Sequence, residues 1–359
     1  MSKKGENQMN NDKESITNEY THPKCVQLPY EYPPFANTQG AAAAPIAMTG
    51  HPTAYNQILN QAVSLGCSRN FLTGFTGCIP YIPDMGIYNL DCIEIIGVNL
   101  KFARKFCIEI IKEMLDCEYY VFFLDIDDYY IPNKSWYGER HFPHDGIICG
   151  YDDGDCSLSI AAHTKNWTFD LFRAPQSAFV DGMYSSQEMG KRCSLLAYKV
   201  KDNTDIKINP EEILKRLKSH VNSSLDLYPT NKEGDVRGVV TYDYIDIYLQ
   251  KLADGEVPHE KMDWRTLRPV WEHKKCMLHR IKLLEQLYLW DNDLSQRYVS
   301  LVDLSNQVRI SYALYHKKPR ENLLNNIRTR LKDVKEQDIK LSTELIEKLS
   351  QEESEVSLS

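Results

Sequence analysis

Two apolar runs stand out against a polar background. Tyr119 to Ile126 (YYVFFLDI) is nearly continuous and rich in aromatic and β-branched residues, which predicts a central strand buried on both faces. His144 to Tyr151 (HDGIICGY) is the second, and Asp152-Asp153-Gly154-Asp155 after it is a turn signal. Cys156 to Ile160 alternates again and reads as the return strand. A histidine therefore opens one strand of a hairpin, where a rigid mount fixes its aim. A lone histidine at a strand mouth is also often an edge residue bonded to backbone, so its chemistry depends on the rest of the chain.

Ile93 to Gly97, Trp167 to Phe172 and Cys193 to Val200 are further strand candidates, with a short helix from Pro175 to Met183. Helical spacing is read over Ala54 to Leu65, capped by Thr53 and ended by Gly66. It is read again over Lys101 to Leu115, with Phe102, Phe106, Ile110 and Met114 as the apolar face. Gly40 to Met48 is a compact small-residue segment, read as a short helix beginning near Ala41 with Pro45 in its first turn. Residues 67 to 90 read as loop. From Asn209 the pattern turns helical: Asn209-Pro210-Glu211-Glu212 is a start signal, and helices follow over Val239–Leu252, Leu267–Trp290, Tyr298–Tyr315 and Pro319–Leu349. This predicts tails at 1–21 and 350–359, an α/β body at 22–204 and a helical part at 205–349.

A formal charge of -8 argues against a nucleic-acid binder, whose footprint is basic. Met1 to Tyr20 has no apolar signal segment, and no run approaches the roughly 18 apolar residues of a membrane span. Ten cysteines form no C-x-x-C pair, which speaks against a zinc ribbon and for a reduced, cytoplasmic protein. His141 and His144 stand three apart, but Pro143 interrupts the segment and no third ligand is placed, so no metal is expected.

The order of parts, a small-residue helix and then a histidine-led strand ending in Gly150-Tyr151-Asp152, resembles the papain-like fold of the C39-type cysteine peptidases. More closely it is similar to the butirosin acyltransferase family of antibiotic gene clusters, and Asp263-Trp264-Arg265 with Glu272-His273-Lys274-Lys275 is similar to family members beside thiotemplate clusters. The resemblance implies an α+β papain-like fold with an added helical domain. It implies acyl transfer: a cysteine at a helix start attacks a thioester or amide, and the strand histidine moves the proton. The donor would be the phosphopantetheine arm of an acyl or peptidyl carrier protein, with no other cofactor. The acceptor would be a small amine, giving an amide in a ribosome-independent pathway of the closthioamide type. Neither nucleic acid nor membrane is an expected partner. The rival readings are a C39-like peptidase or thioester hydrolase, and a catalytically silent protein that holds a pathway intermediate.

Aligned on the family segment, the nucleophile position falls at Ala41, and no cysteine occurs from 26 to 66. Three explanations stand side by side: a cysteine replaced by alanine, Cys25 serving instead, or direct attack by the amine with His144 as base. Where the family carries an acid to orient the imidazole, this chain has Ala161, Ala162 and His163; Asn166 is the substitute, with His163 structural. Asp145 is expected on the opposite strand face from His144. Gln39 is a candidate oxyanion donor. The Glu272–Lys275 stretch with Arg265 and Arg268 reads either as a solvated face or as a basic patch for a phosphate or an acidic carrier protein.

Overall fold

The computed structural model describes residues 24–31, 51–73, 79–86, 89–166, 168–227 and 235–358. The architecture is mixed α+β. An antiparallel sheet carries the first half. It runs in the order β3 (Ile93–Asn99), β8 (Ser194–Val200), β4 (Tyr120–Asp127), β5 (Pro143–Asp152), β6 (Ser157–His163), β7 (Phe169–Pro175). The predicted hairpin is β5–β6, with Ile147 opposite Ala161 and Asp152 opposite Ser157. β4 pairs with β5 only as far as Ile148, and β1 (Cys25–Gln27) then pairs with Gly150 to Asp152. A side chain at Gly150 would collide with Val26 O, so glycine lets the two backbones approach.

Alternation along the strands gives the sheet two apolar faces. One face, with Phe122, Ile147, Cys149, Ala161 and Tyr198, is covered by α1 (Pro52–Gln61) through Ala54, Ile58 and Leu59. The other, with Val121, Phe123, Ile148 and Leu195, is covered by α3 (Cys107–Asp116) and α4 (Gln176–Glu188). Lys101–Leu115 is not one helix. It divides into α2 (Leu100–Ala103), a 3-10 turn (Arg104–Phe106) and α3. The tighter turn changes the phase of the stripe. Leu100, Cys107, Ile111 and Leu115 are buried, while Phe102 and Phe106 are 87% and 64% exposed.

Within residues 67 to 90, Gly66–Ser68 forms β2, which pairs with β9 (Asp235–Arg237), and a 3-10 turn follows. Thr53 does not cap α1. His51 holds the cap position without a side-chain bond, and Thr53 Oγ1 donates to Thr204 O at 3.1 Å.

Among the described residues the helical half carries α5 (Pro210–Asn222), α6 (Val240–Ala253), α7 (Arg268–Tyr288), α8 (Asp293–Lys317) and α9 (Glu321–Leu358). Asn209 caps α5 as its sequence predicts, accepting from Glu212 N at 3.1 Å. α9 runs through the segment expected as a tail. Its last turns are tied down where Trp290 Nε1 donates to Glu352 Oε1 at 2.7 Å. The helical core also takes in Val63, Leu65, Cys67 and Phe71. α7 reaches back to α1: Arg280, fully buried, donates to Leu59 O at 2.6 Å and Ala62 O at 2.9 Å, and His273 Nε2 lies 2.7 Å from Val63 O. The carbonyls left over at the end of α1 are thus satisfied by side chains of α7. The expected tail 1–21 and the expected helix near Ala41 lie outside the described residues. Among the described residues no helix is long and apolar enough to cross a membrane.

Candidate functional site

β4 ends at Asp127, Asp128 follows it, and the chain then loops to Pro143 at the start of β5. Asp127 holds that loop. It accepts from His141 Nδ1 (2.7 Å), Ser185 Oγ (2.7 Å), Phe142 N (2.8 Å) and Tyr129 N (3.2 Å). Burial alone would raise its carboxyl, but these four donors hold it below the usual carboxylate range.

The loop brings a fully buried lysine under the strand mouth. Lys134 Nζ lies 3.0 Å from Asp128 Oδ1, donates to Asp145 O at 2.8 Å and stands 3.3 Å from His144 Nδ1. An ammonium has three protons and no lone pair, so Nδ1 of a neutral ring must be the acceptor. The ring proton then sits on Nε2, which is 3.5 Å from Asp145 Oδ1. The ring is held neutral: burial, then the charges of Lys134 and Arg265, push it down to about 3. His163, 6.4 Å from it between ring centres, is also pushed down to about 3, by burial and then Arg268. Burial raises Asp128 to about 6 even with Lys134 beside it, and burial raises Asp145 as well.

These groups edge a cavity of about 290 Å³. Phe122, Trp136, Phe142, Ile147 and Phe169 make it largely apolar, and its far wall is the connector Met262–Arg268 that leads into α7. In that wall Arg265 grips Asp263 through two bonds of 2.7 and 3.0 Å, and Arg268 donates to Glu272 at 2.9 Å. The cavity therefore lies between sheet and helices.

The expected site residues fare differently. His144 lines the cavity. Gln39 and Ala41 lie outside the described residues. Cys25 is in β1 opposite Asp152, at the far end of β5, roughly 25 Å along the strand from His144. It cannot be this imidazole's partner, and among the described residues no cysteine lines the cavity. Asn166 is exposed in the turn between β6 and β7, and the oxygen beside Nε2 belongs to Asp145. That corrects the expectation of opposite faces: at the strand's first residues the two side chains swing together.

Of the Gly150-Tyr151-Asp152 signature, none lines the cavity. Gly150 admits β1, Tyr151 donates to Asp116 at 2.8 Å, and Asp152 accepts from Arg173 at 2.7 Å. The Glu272–Lys275 stretch is not a surface patch. Glu272, His273 and Lys274 are buried, and Lys275 lies 4.2 Å over the Trp271 ring. His141 and His144 turn to different partners, and among the described residues no group of three or more His, Cys, Asp and Glu is placed for a metal ion. Lys134 and Asp128 escaped the sequence reading. The only signal for Asp128 is a pair of acids closing an apolar strand, and Lys134 sits in a loop with none. The chain matches no family model and no curated protein.

Proposed function

We propose that the cavity takes an apolar acyl group as its thioester, borne on a carrier protein's phosphopantetheine arm, and transfers it to a small amine within a papain-like fold. The observation that carries this reading is the fixed tautomer of His144. With Nδ1 occupied by Lys134, Nε2–H is a neutral donor beside Asp145 at the edge of a largely apolar cavity. Such a donor strengthens its bond as a carbonyl oxygen gains charge. The amine nitrogen attacks the thioester carbon and Nε2–H steadies the oxygen. Asp145, its basicity raised by burial, takes the amine's proton. The C–S bond breaks, and that proton passes to the departing thiolate. Products are an amide and a free thiol. His144 is then an electrophile in place of the base expected from the sequence, and no covalent intermediate is needed.

The test uses an acyl-pantetheine thioester and a diamine, with amide followed by mass spectrometry and thiol by a colorimetric reagent. His144→Ala is expected to lower kcat by about 100-fold, the scale of one lost oxyanion donor. Asp145→Asn should lower it with little change in KM. Unchanged kcat in His144→Ala overturns the reading. Carboxylic acid without amide makes the protein a hydrolase. An acyl-enzyme seen only in Ala41→Cys restores the thiol mechanism. Tight binding without turnover makes it a silent binder.

A further inference from the structure

The residues misassigned to a buried stripe make a surface patch. Phe102 and Phe106 project from α2 and the 3-10 turn, and Lys101, Arg104 and Lys105 are exposed beside them. Arg104 lies 5.7 Å over the ring of Tyr184 in α4, and past the end of α4 come exposed Met189, Lys191 and Arg192. The two segments are joined where Leu100 N donates to Cys193 O at 3.1 Å. None of these five cations forms an ion pair among the described residues. The acids nearest in sequence are Glu109 and Glu188, both exposed. Such a concentration of positive charge around bare aromatic rings is out of keeping with a chain of formal charge -8.

Position gives the patch its meaning. Asn99 and Ser194 pair at the same end of the sheet as Asp127 and Pro143. From β3 to β5 there are three strand steps, roughly 14 Å. The patch segments pack on the α3/α4 face through Leu100 and Cys193, whereas Phe122, Ile147 and Phe169 of the cavity lie on the opposite face, so the arm of a carrier seated on the patch turns around the end of the sheet, past the ends of β8 and β4.

We propose that this patch docks the acidic helix of the carrier protein that delivers the thioester, Phe102 and Phe106 entering its apolar surface and the five cations facing its carboxylates. The proposal rests on the carrier-borne donor of the preceding section. A protein is favoured over an anionic membrane on two grounds. Phe, Tyr, Met and Arg are the residues that protein interfaces concentrate. A chain of net negative charge is repelled by an anionic bilayer beyond the patch itself, whereas a small partner meets only the patch.

The experiment measures binding of a recombinant acidic carrier domain, in its holo form without an acyl group, to the full chain. The variants are Phe102→Ser/Phe106→Ser and, separately, Lys101→Glu/Lys105→Glu. Each should weaken Kd by about tenfold or more, and the parent's Kd should rise with salt. Turnover of acyl-pantetheine should stay within about twofold of the parent, because that donor has no carrier. Arg192→Glu, on the other segment of the patch, gives a third reading if either double variant folds poorly. A Kd indifferent to all three variants overturns the patch while leaving the amide reaction standing. Carrier binding lost in the variants, with no amide from either donor in the parent, keeps the patch and removes the reaction. No carrier binding in the parent, with patch-dependent binding to phosphatidylserine vesicles, overturns the proposal in favour of a membrane.

Discussion

Lys134 decides what His144 can be. It is fully buried, and its ammonium touches a carboxylate, a backbone carbonyl and the ring nitrogen. Lys134→Met keeps the bulk and removes the charge, leaving Asp128 buried without its partner. Urea unfolding should show a loss of about 3–5 kcal/mol at pH 8, shrinking toward pH 5 as Asp128 takes up a proton. The two cavity histidines have their own signature. Both are held at about 3 in the fold and titrate near 6.5 when unfolded. The unfolded chain therefore binds more protons between those values, and their contribution to stability is full above 6.5 and is lost as pH falls. Asp128, raised to about 6, works in the opposite direction, so the informative comparison is variant against parent. His144→Gln/His163→Gln should lose less stability than the parent between pH 6.5 and 4, measured as the slope of unfolding free energy against pH. An equal slope would mean that the rings are charged in the fold.

Among the elements, legibility followed periodicity. The β5–β6 hairpin and its histidine could be read because a short apolar run closed by an Asp/Gly turn signal marks a strand buried on both faces. Of the stripe Phe102–Phe106–Ile110–Met114, Ile110 and Met114 pack against the core as expected, while Phe102 and Phe106 do not, because a helical repeat carries no sign that a 3-10 turn interrupts it. Stability should follow the true stripe. Ile111→Ala, in a side chain with no exposure, is expected to cost about 2–4 kcal/mol, and Phe102→Ser less than about 0.5 kcal/mol. Chemical denaturation of the two variants checks this, and the reverse order would place the Phe face inside. The cavity was legible only in part. His144 announces itself on a strand, whereas Lys134 and Asp145 acquire their roles from a loop's path and a strand's first residues, which no local pattern encodes.

For the whole molecule, the largest features are polar groups sealed inside the helical half. Asp338 of α9 is fully buried and receives Lys274 Nζ at 2.5 Å, His220 Nε2 at 3.1 Å, Tyr242 OH at 2.9 Å and Tyr298 OH at 3.2 Å. Five helices thereby meet on one carboxylate, and Lys274 and His220 hold it far below the usual carboxylate range despite burial. Asp338→Ala strands Lys274 without a counter-charge, and thermal and urea unfolding should register about 3–5 kcal/mol. Composition hinted at none of this, because Lys274 reads as part of a solvated face or a basic patch and Asp338 as one more charge on a partly solvated helix.

Arg280, bonded to the last carbonyls of α1, has a practical corollary. A gene product stopped after Val200 would strip the sheet's partner helix of its clasp and bare its greasy underside to water. Such a fragment should collect in inclusion bodies, so anyone seeking crystals of a trimmed chain has to clone both halves together.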